Sequence, residues 1–422
     1  MPSADTKFQF NPTVKLLVLN VAALMALGLL MVYSAGLSVS PDDRYTLFGK
    51  QMVFMMAGIA AMIVAMRVPY QWLNRRRVAL TLLALSLAAQ AGVLVFGDMG
   101  GGSYRWYKLS LGSLDLSVQP SEAAKLCLII FFAWFLSREQ VNLRHYGKTF
   151  AVLAGVLGVM AALIGYQDLG TATLLGLVGV CLLLAGGVRW WHPMTLLPAV
   201  AAAGWVLIAF FPYRLQRLTI YLDPWKDSRG AGYQITQSLM ALGTGGWFGL
   251  GLGMGVQKLY YLPADTTDFI FSIICEEMGL AGGALVILLF LSLAMLGLRV
   301  ARHAPNRFGY LLSLGIILWI SFQAVINIGV ATGALPTKGI ALPLVSYGGT
   351  GLLLTGTALG LLMSVAARSP ALALVPQQTT DLPVPATAGT TAAAAPEKEP
   401  ASEIRIGPAP MGSASSPSPT GA

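Results

Sequence analysis

Ten long apolar stretches constrain this chain more than any other feature. They run roughly over 14–35, 49–66, 78–96, 122–137, 148–166, 171–188, 193–212, 268–298, 308–332 and 343–367. A segment that crosses a bilayer needs about 20 mostly apolar residues. In hydrocarbon it must also satisfy its own backbone groups, which a helix does. Only 11% of the residues are charged, against about 25% in a soluble domain. The expected fold is therefore an all-α polytopic membrane protein of about ten transmembrane helices. Two long external loops are expected at about 97–121 and 213–267. The first stretch is too long for a signal-peptide core, and no small-residue cleavage site follows it cleanly, so it reads as a retained helix.

Basic residues set the orientation, because short loops rich in Lys and Arg stay in the cytoplasm. Arg67 with Arg75, Arg76 and Arg77, then Arg138, Arg144 and Lys148, then Arg299, Arg302 and Arg307 fall on one side when ten helices are threaded in order. Both termini share that side. Topology and attraction to anionic membrane lipids explain the net charge of +9 without any nucleic acid. Cys127, Cys181 and Cys275 lie in predicted helices without metal or disulfide spacing. Residues 1–13 read as a cytoplasmic N-terminal segment and 14–369 as one membrane domain. Residues 370–422 are rich in Pro, Ala, Ser and Thr and hold no aromatic residue. Such a segment buries too little surface to offset its ordering entropy, so a disordered cytoplasmic tail is expected there.

Against this apolar background the charged residues on the external side carry information. Asp268 opens the eighth stretch, after Leu262-Pro263-Ala264-Asp265-Thr266-Thr267. A carboxylate near hydrocarbon is costly and usually functional, and a helix start favours its ionised form. It is a candidate general base. Arg105 and Trp106 sit in the first long loop. Glu122 and Lys125, three apart on one helical face, read either as a mutual pair or as a pair that also meets an anionic substrate group. Asp168 stands in a short turn, where capping the next helix is its expected role. Arg214, Arg217 and Lys258 lie outside, against the positive-inside bias. They are candidates for holding phosphate, with pairing to Asp223 and Asp227 as the plainer reading. Glu276 and Glu277 would lie about 12 Å down a regular helix from Asp268. Burial there would keep them neutral and hydrogen-bonded, with a proton path as the sharper alternative. The run Ala334–Gly349, holding Lys338 and Ser346, reads as an external loop that re-enters the membrane as a cavity wall. No dedicated metal site is visible.

Together these motifs resemble the SEDS family (shape, elongation, division and sporulation). The resemblance rests on Arg105-Trp106, Gln119-Pro120-Ser121-Glu122 with Lys125, Asp168-Leu169-Gly170-Thr171, Asp223-Pro224-Trp225 and Gly232-Tyr233-Gln234. It continues through Thr267-Asp268-Phe269-Ile270-Phe271, Glu276-Glu277 and Pro343-Leu344-Val345-Ser346-Tyr347-Gly348-Gly349. Leu335-Pro336-Thr337-Lys338-Gly339 is similar to the division branch more than to the elongation branch. The chain departs from the family at Thr266, where a histidine is common, at Gln167, where a proline is usual, and at Thr350-Gly351.

The resemblance implies a ten-helix glycosyltransferase that polymerises lipid II into peptidoglycan strands. It would sit in the bacterial inner membrane, at the division septum. A class B penicillin-binding protein and other divisome membrane proteins would be its partners. The family's essential aspartate falls on Asp268, its loop tryptophan on Trp106 and its helix charge pair on Glu122 and Lys125. The expected reaction is attack of a sugar 4-hydroxyl on the anomeric carbon of a polyprenyl diphosphate-linked donor. Lys125, Arg214, Arg217, Lys258 and Lys338 are candidates to stabilise the diphosphate, and a divalent cation such as Mg or Mn could share that task. The rival reading is a flippase for the lipid-linked precursor. Glu276 and Glu277 favour it, whereas the clustering of candidates outside favours the polymerase.

Overall fold

The computed structural model describes residues 9–36, 41–100, 103–111, 114–139, 145–210, 219–230, 232–259, 261–264 and 266–372. Arg214, Arg217, Asp265 and the expected tail beyond 372 lie outside the described residues. In chain order the helices are α1 (Pro12–Ala35), α2 (Pro41–Arg67), α3 (Arg76–Phe96), α4 (Pro120–Leu136), α5 (Ala151–Gln167) and α6 (Leu169–Ala185). They continue with α7 (Trp191–Met194), α8 (Leu197–Phe210), α9 (Tyr233–Thr244), α10 (Ile270–Arg302), α11 (Arg307–Ala331) and α12 (Gly349–Ala367). Each of the ten apolar stretches carries a helix. Parts of α1, α2, α3, α10, α11 and α12 are long and apolar enough to cross a membrane, while α5 and α6 are apolar but shorter. The chain is a polytopic membrane protein.

Local sequence explains the ends of these helices. The Asn11 side chain accepts from Val14 N at 3.0 Å, with Pro12 at the first helical position, an N-cap followed by the residue best suited to N1. Asn306 does the same for α11, accepting from Gly309 N at 2.7 Å. The basic side is tied together. Asn11 Nδ2 donates to Ala366 O at 2.7 Å, and Arg368 Nη2 donates to Arg67 O at 2.7 Å. α11 and α12 are the inner helices, and α2, α3 and α10 turn more of their apolar surface outward. Where α12 meets α2, a Cβ on Gly356 would lie 2.5 Å from Gly58 O. Small residues let the two backbones approach, which is how membrane helices gain packing contacts.

The first long loop departs from the all-helical expectation. It holds β1 (Asp98–Gly100), β2 (Ser103–Leu111) and β3 (Leu114–Val118), an antiparallel sheet in the order β1-β2-β3. The β2–β3 ladder runs from Tyr107↔Val118 to Leu111↔Leu114. The cause is local: Tyr107-Lys108-Leu109-Ser110-Leu111 and Leu114-Asp115-Leu116-Ser117-Val118 both alternate, on either side of Gly112-Ser113.

α10 departs from a regular helix as well. Gly279 has φ 69° and ψ −166°, which breaks the element into 270–278 and 280–302. The first half does not run straight down into the bilayer. Asp268 O accepts from Asn327 Nδ2 of α11 at 2.8 Å. Ser272 shares a hydrogen bond with Ser238, which in turn donates to Ala331 O. From Asp268 to Ser272 the contacts on α11 therefore move outward, from Asn327 to Ala331. At the far end, Glu277 meets Ser34, near the external end of α1. The half-helix thus runs toward the end of α1 at Ser34 rather than down along α11.

Candidate active site

Three separate parts of the chain converge outside the bundle around a cavity of about 260 Å³. Thr267 and Asp268 come from the start of α10, Arg105 and Trp106 from β2, and residues 339–344 and 346–352 from the approach to α12. Glu122, Asp168 and Thr171 add to it from α4 and the start of α6, and Gln323 from α11.

Neighbours on a regular strand point to opposite faces, yet Arg105 and Trp106 both line the cavity. The β1–β2 pairing explains this, because it steps from Met99↔Tyr104 to Asp98↔Trp106 and leaves Arg105 as an extra residue. A bulge of this kind re-aims side chains. Arg105 is then fixed by Nε and Nη2, which donate to Gln167 O at 3.0 and 2.6 Å.

Asp168 caps α6 as expected. Its Oδ1 accepts from Gly170 N and Thr171 N at 2.9 and 3.2 Å, and Oδ2 from Thr171 Oγ1 at 2.9 Å. Glu122 and Lys125 form their mutual pair at 2.7 Å. Lys125 also donates to Gln323 Oε1 at 2.9 Å and sits 4.9 Å from the Trp319 ring centre. Only 2% exposed, it lies behind the cavity wall. Glu122 itself lines the cavity, and its Oε2 has no hydrogen-bond partner.

Two residues that the sequence reading passed over hold the site together. Gln323 Nε2 donates to Ala341 O at 2.9 Å, and Asn327 Nδ2 donates to both Asp268 O and Ile340 O at 2.8 Å. A Gln and an Asn four apart on an apolar helix share one face, and polar groups in a spanning segment are costly enough to mark function. That was the available signal. Ser346 acts in the same way: its Oγ donates to Thr267 O and accepts from Leu342 N at 2.8 Å. Tyr347 N donates to Thr266 O at 2.8 Å. The re-entrant loop is thus bonded to the residues just before Asp268, and its Val345 backbone packs on Gly28 of α1.

Asp268 stands just before Phe269, the N-cap of α10. A Cβ on Gly339 would lie 3.3 Å from Asp268 Oδ2 and 3.9 Å from Arg105 Nη1. Gly339 therefore lies against both the carboxylate and the guanidinium. Lys338 adjoins this point and is half-buried. Burial pulls its ammonium below the usual lysine range, and the Asp168 carboxylate partly counters that.

Lys258 does not join these groups, which corrects its place among the phosphate-binding candidates. It is 2% exposed and donates to Glu277 Oε1 at 2.6 Å and Ser34 Oγ at 3.1 Å. Glu276 Oε1 accepts from Val256 N and Gln257 N at 2.8 and 3.1 Å. Both carboxylates are thus hydrogen-bonded, Glu277 to Lys258 and Ser34 and Glu276 to the amides of the preceding loop. Among the described residues no group of three or more His, Cys, Asp or Glu could hold a metal ion. Both Asp168 oxygens and one Glu122 oxygen are already bonded.

Known proteins resemble this chain along nearly its whole membrane domain. A protein of Marinobacter nauticus named probable peptidoglycan glycosyltransferase FtsW is 42% identical over 349 residues, covering 80% of this chain and 86% of that one. Stage V sporulation protein E of Bacillus subtilis is 40% identical over 357 residues, 83% of this chain and 96% of that one. A chain from a structure described as the coordination of polymerization and crosslinking by a peptidoglycan synthase complex superposes with a TM-score of 0.68 at 29% identity, over 83% and 96% of the two chains. RodA of Thermus thermophilus does so with a TM-score of 0.59 at 26% identity, over 83% and 95%. The profile of the cell cycle protein family FtsW/RodA/SpoVE matches residues 14–370, from the start of α1 to the end of α12, and this chain belongs to that family.

Proposed function

We propose that this protein is a peptidoglycan glycosyltransferase that polymerises lipid II at the outer face of the inner membrane during cell division. The observation that carries the reading is the meeting of Asp268, Arg105 and Trp106 on the wall of one cavity. A carboxylate can take a proton from a hydroxyl, and a guanidinium on the same wall can stabilise a departing phosphate. Asp268 accepts the proton of the acceptor 4-hydroxyl as its oxygen bonds to the donor anomeric carbon. The bond from that carbon to the diphosphate breaks, and the diphosphate leaves with the electron pair. Arg105 and Lys338 receive the anionic group, with Arg214 and Arg217 as further candidates. Trp106 offers a flat apolar face to a sugar ring.

The names of the relatives support the activity. Those carrying the name FtsW, and the segment Leu335–Gly339, support the division branch and a place at the septum. The synthase-complex neighbour supports a class B penicillin-binding protein as partner. The transport reading loses ground, because Glu276 and Glu277 are engaged by loop amides and Lys258.

The test is polymerisation of purified lipid II by the purified protein, with and without its cross-linking partner. Glycan strands are expected from the parent and none from Asp268→Asn, whose thermal unfolding should match the parent's. Near-normal synthesis by the variant would remove Asp268 as the base. Labelled lipid II crossing vesicles that hold the parent, with no strands formed, would favour transport.

A further inference from the structure

The connection between α9 and α10 carries an apolar tip with an unexpected location. Trp247 and Phe248 are 74% and 87% exposed, and Met254 is 69% exposed. No residue from Gly243 to Val256 is charged. On a loop in water this would be a costly exposure of aromatic surface. Yet the tip does not stand out in water. Leu280 N and Ala281 N donate to Gly246 O and Trp247 O at 2.9 and 3.2 Å, which fixes it beside the break at Gly279. From Gly279 to Arg299, the first basic residue at the cytoplasmic end of α10, the helix runs about 30 Å at 1.5 Å per residue. That is the thickness of a hydrocarbon core, about 30 Å. α1 gives an independent measure. Asn11 is bonded to Ala366 O on the basic side, and Ser34 meets Glu277, two residues before the break. Those two levels are about 35 Å apart along α1. Both measures put the tip at the outer edge of the hydrocarbon, where tryptophan and other aromatic residues concentrate.

We infer that the Trp247–Phe248 tip is a membrane-interface anchor, seated at the boundary between headgroups and acyl chains of the outer leaflet. The hairpin is built to hold that position. Leu250 N and Gly251 N each donate at 3.0 Å to Glu276 O and Glu277 O, satisfying carbonyls that the break would otherwise leave without helical partners. The lack of charge in the tip suits the boundary itself rather than an ionic contact with anionic headgroups. This placement does not depend on the enzymatic reading.

The test places a nitroxide at Phe248→Cys in nanodiscs of phosphatidylethanolamine and phosphatidylglycerol, and reads its collisions with oxygen and with a water-soluble nickel chelate. Ile287→Cys, on the outward face of α10, marks the hydrocarbon. Arg229→Cys marks water outside. The parent, with its three native thiols, supplies the blank. At 248, nickel collisions several-fold below those at 229 and oxygen collisions below those at 287 are expected. Nickel access equal to that at 229 would put the tip in water, free for a protein partner. Access equal to that at 287 would bury it in hydrocarbon. An immobile label shielded from both reagents would mean that protein covers it. Each of these three results overturns the anchor.

Discussion

At the scale of single residues, the external chemistry divides into charges that are already engaged and charges that face the cavity. Lys258 and Glu277 belong to the first kind. Removing one member of a buried pair leaves the other charge without a partner and costs about 3–5 kcal/mol. Glu277→Leu alone, or Lys258→Met alone, should therefore lower thermal stability strongly in detergent. The double variant Lys258→Met/Glu277→Leu should recover most of the loss, since apolar replacement of a whole buried pair is often neutral. Additive losses in that cycle would show that the two do not interact. Lys338 is of neither kind: it precedes the cavity residue Gly339 in the chain, and its pKa is lowered by burial. A lysine with a lowered pKa loses its charge at lower pH than an ordinary one, near 10.4. If it holds the diphosphate, KM for lipid II should begin to rise with pH below that range. Lys338→Arg keeps its charge and should move this limb to higher pH; an unmoved limb would take Lys338 out of substrate binding. The linkage sign is opposite for stability. Between the folded and the ordinary pKa the unfolded chain binds more protons, so the contribution of Lys338 to stability rises with pH there.

At the scale of elements, α10 depends on one glycine. Gly279 holds a positive φ, and a Cβ there would overlap the backbone of Trp247–Gly249. Gly279→Ala should unfold the hairpin's docking, lowering the melting temperature and abolishing synthesis. A variant as stable and active as the parent would mean that the break is dispensable. This break was not legible in the sequence. Met278-Gly279-Leu280-Ala281-Gly282-Gly283 reads as an apolar helix rich in small residues, which spanning helices tolerate. Which glycine turns is decided by a backbone partner 30 residues earlier, at Gly249. The β2–β3 hairpin is the reverse case. Its alternation was in plain view, with Gly112-Ser113 between the two runs, but a long external loop in an otherwise helical protein did not invite a search at period two. Asp268, Trp106 and the Glu122–Lys125 pair were legible as residue types and by resemblance. Gln323 and Asn327 were missed because an isolated amide in a long apolar helix reads as a minor exception until its partners are known.

At the scale of the whole molecule, the site exists only because β2, the start of α10 and the loop before α12 meet on one side of the bundle. Sequence could put each of these segments outside, but only packing could show that they enclose one cavity. Asn327 and Ser346 do this by bonding α10 to the loop, and the bulge at Arg105 turns the sheet toward both. The arrangement requires the basic ends at Arg76 and Arg302 to lie across the bilayer from the cavity. A cysteine at position 106 or 338 should therefore react with a membrane-impermeant thiol reagent added from outside in intact cells, while one at 76 or 302 should react only after the membrane is opened. A lipid-linked substrate whose sugars lie outside can reach the first pair alone, so lipid II should slow labelling at 106, which lines the cavity. Labelling of 76 or 302 from outside with 106 silent would invert the topology. Asp268 would then face the cytoplasm, and external strand synthesis would lose its physical basis.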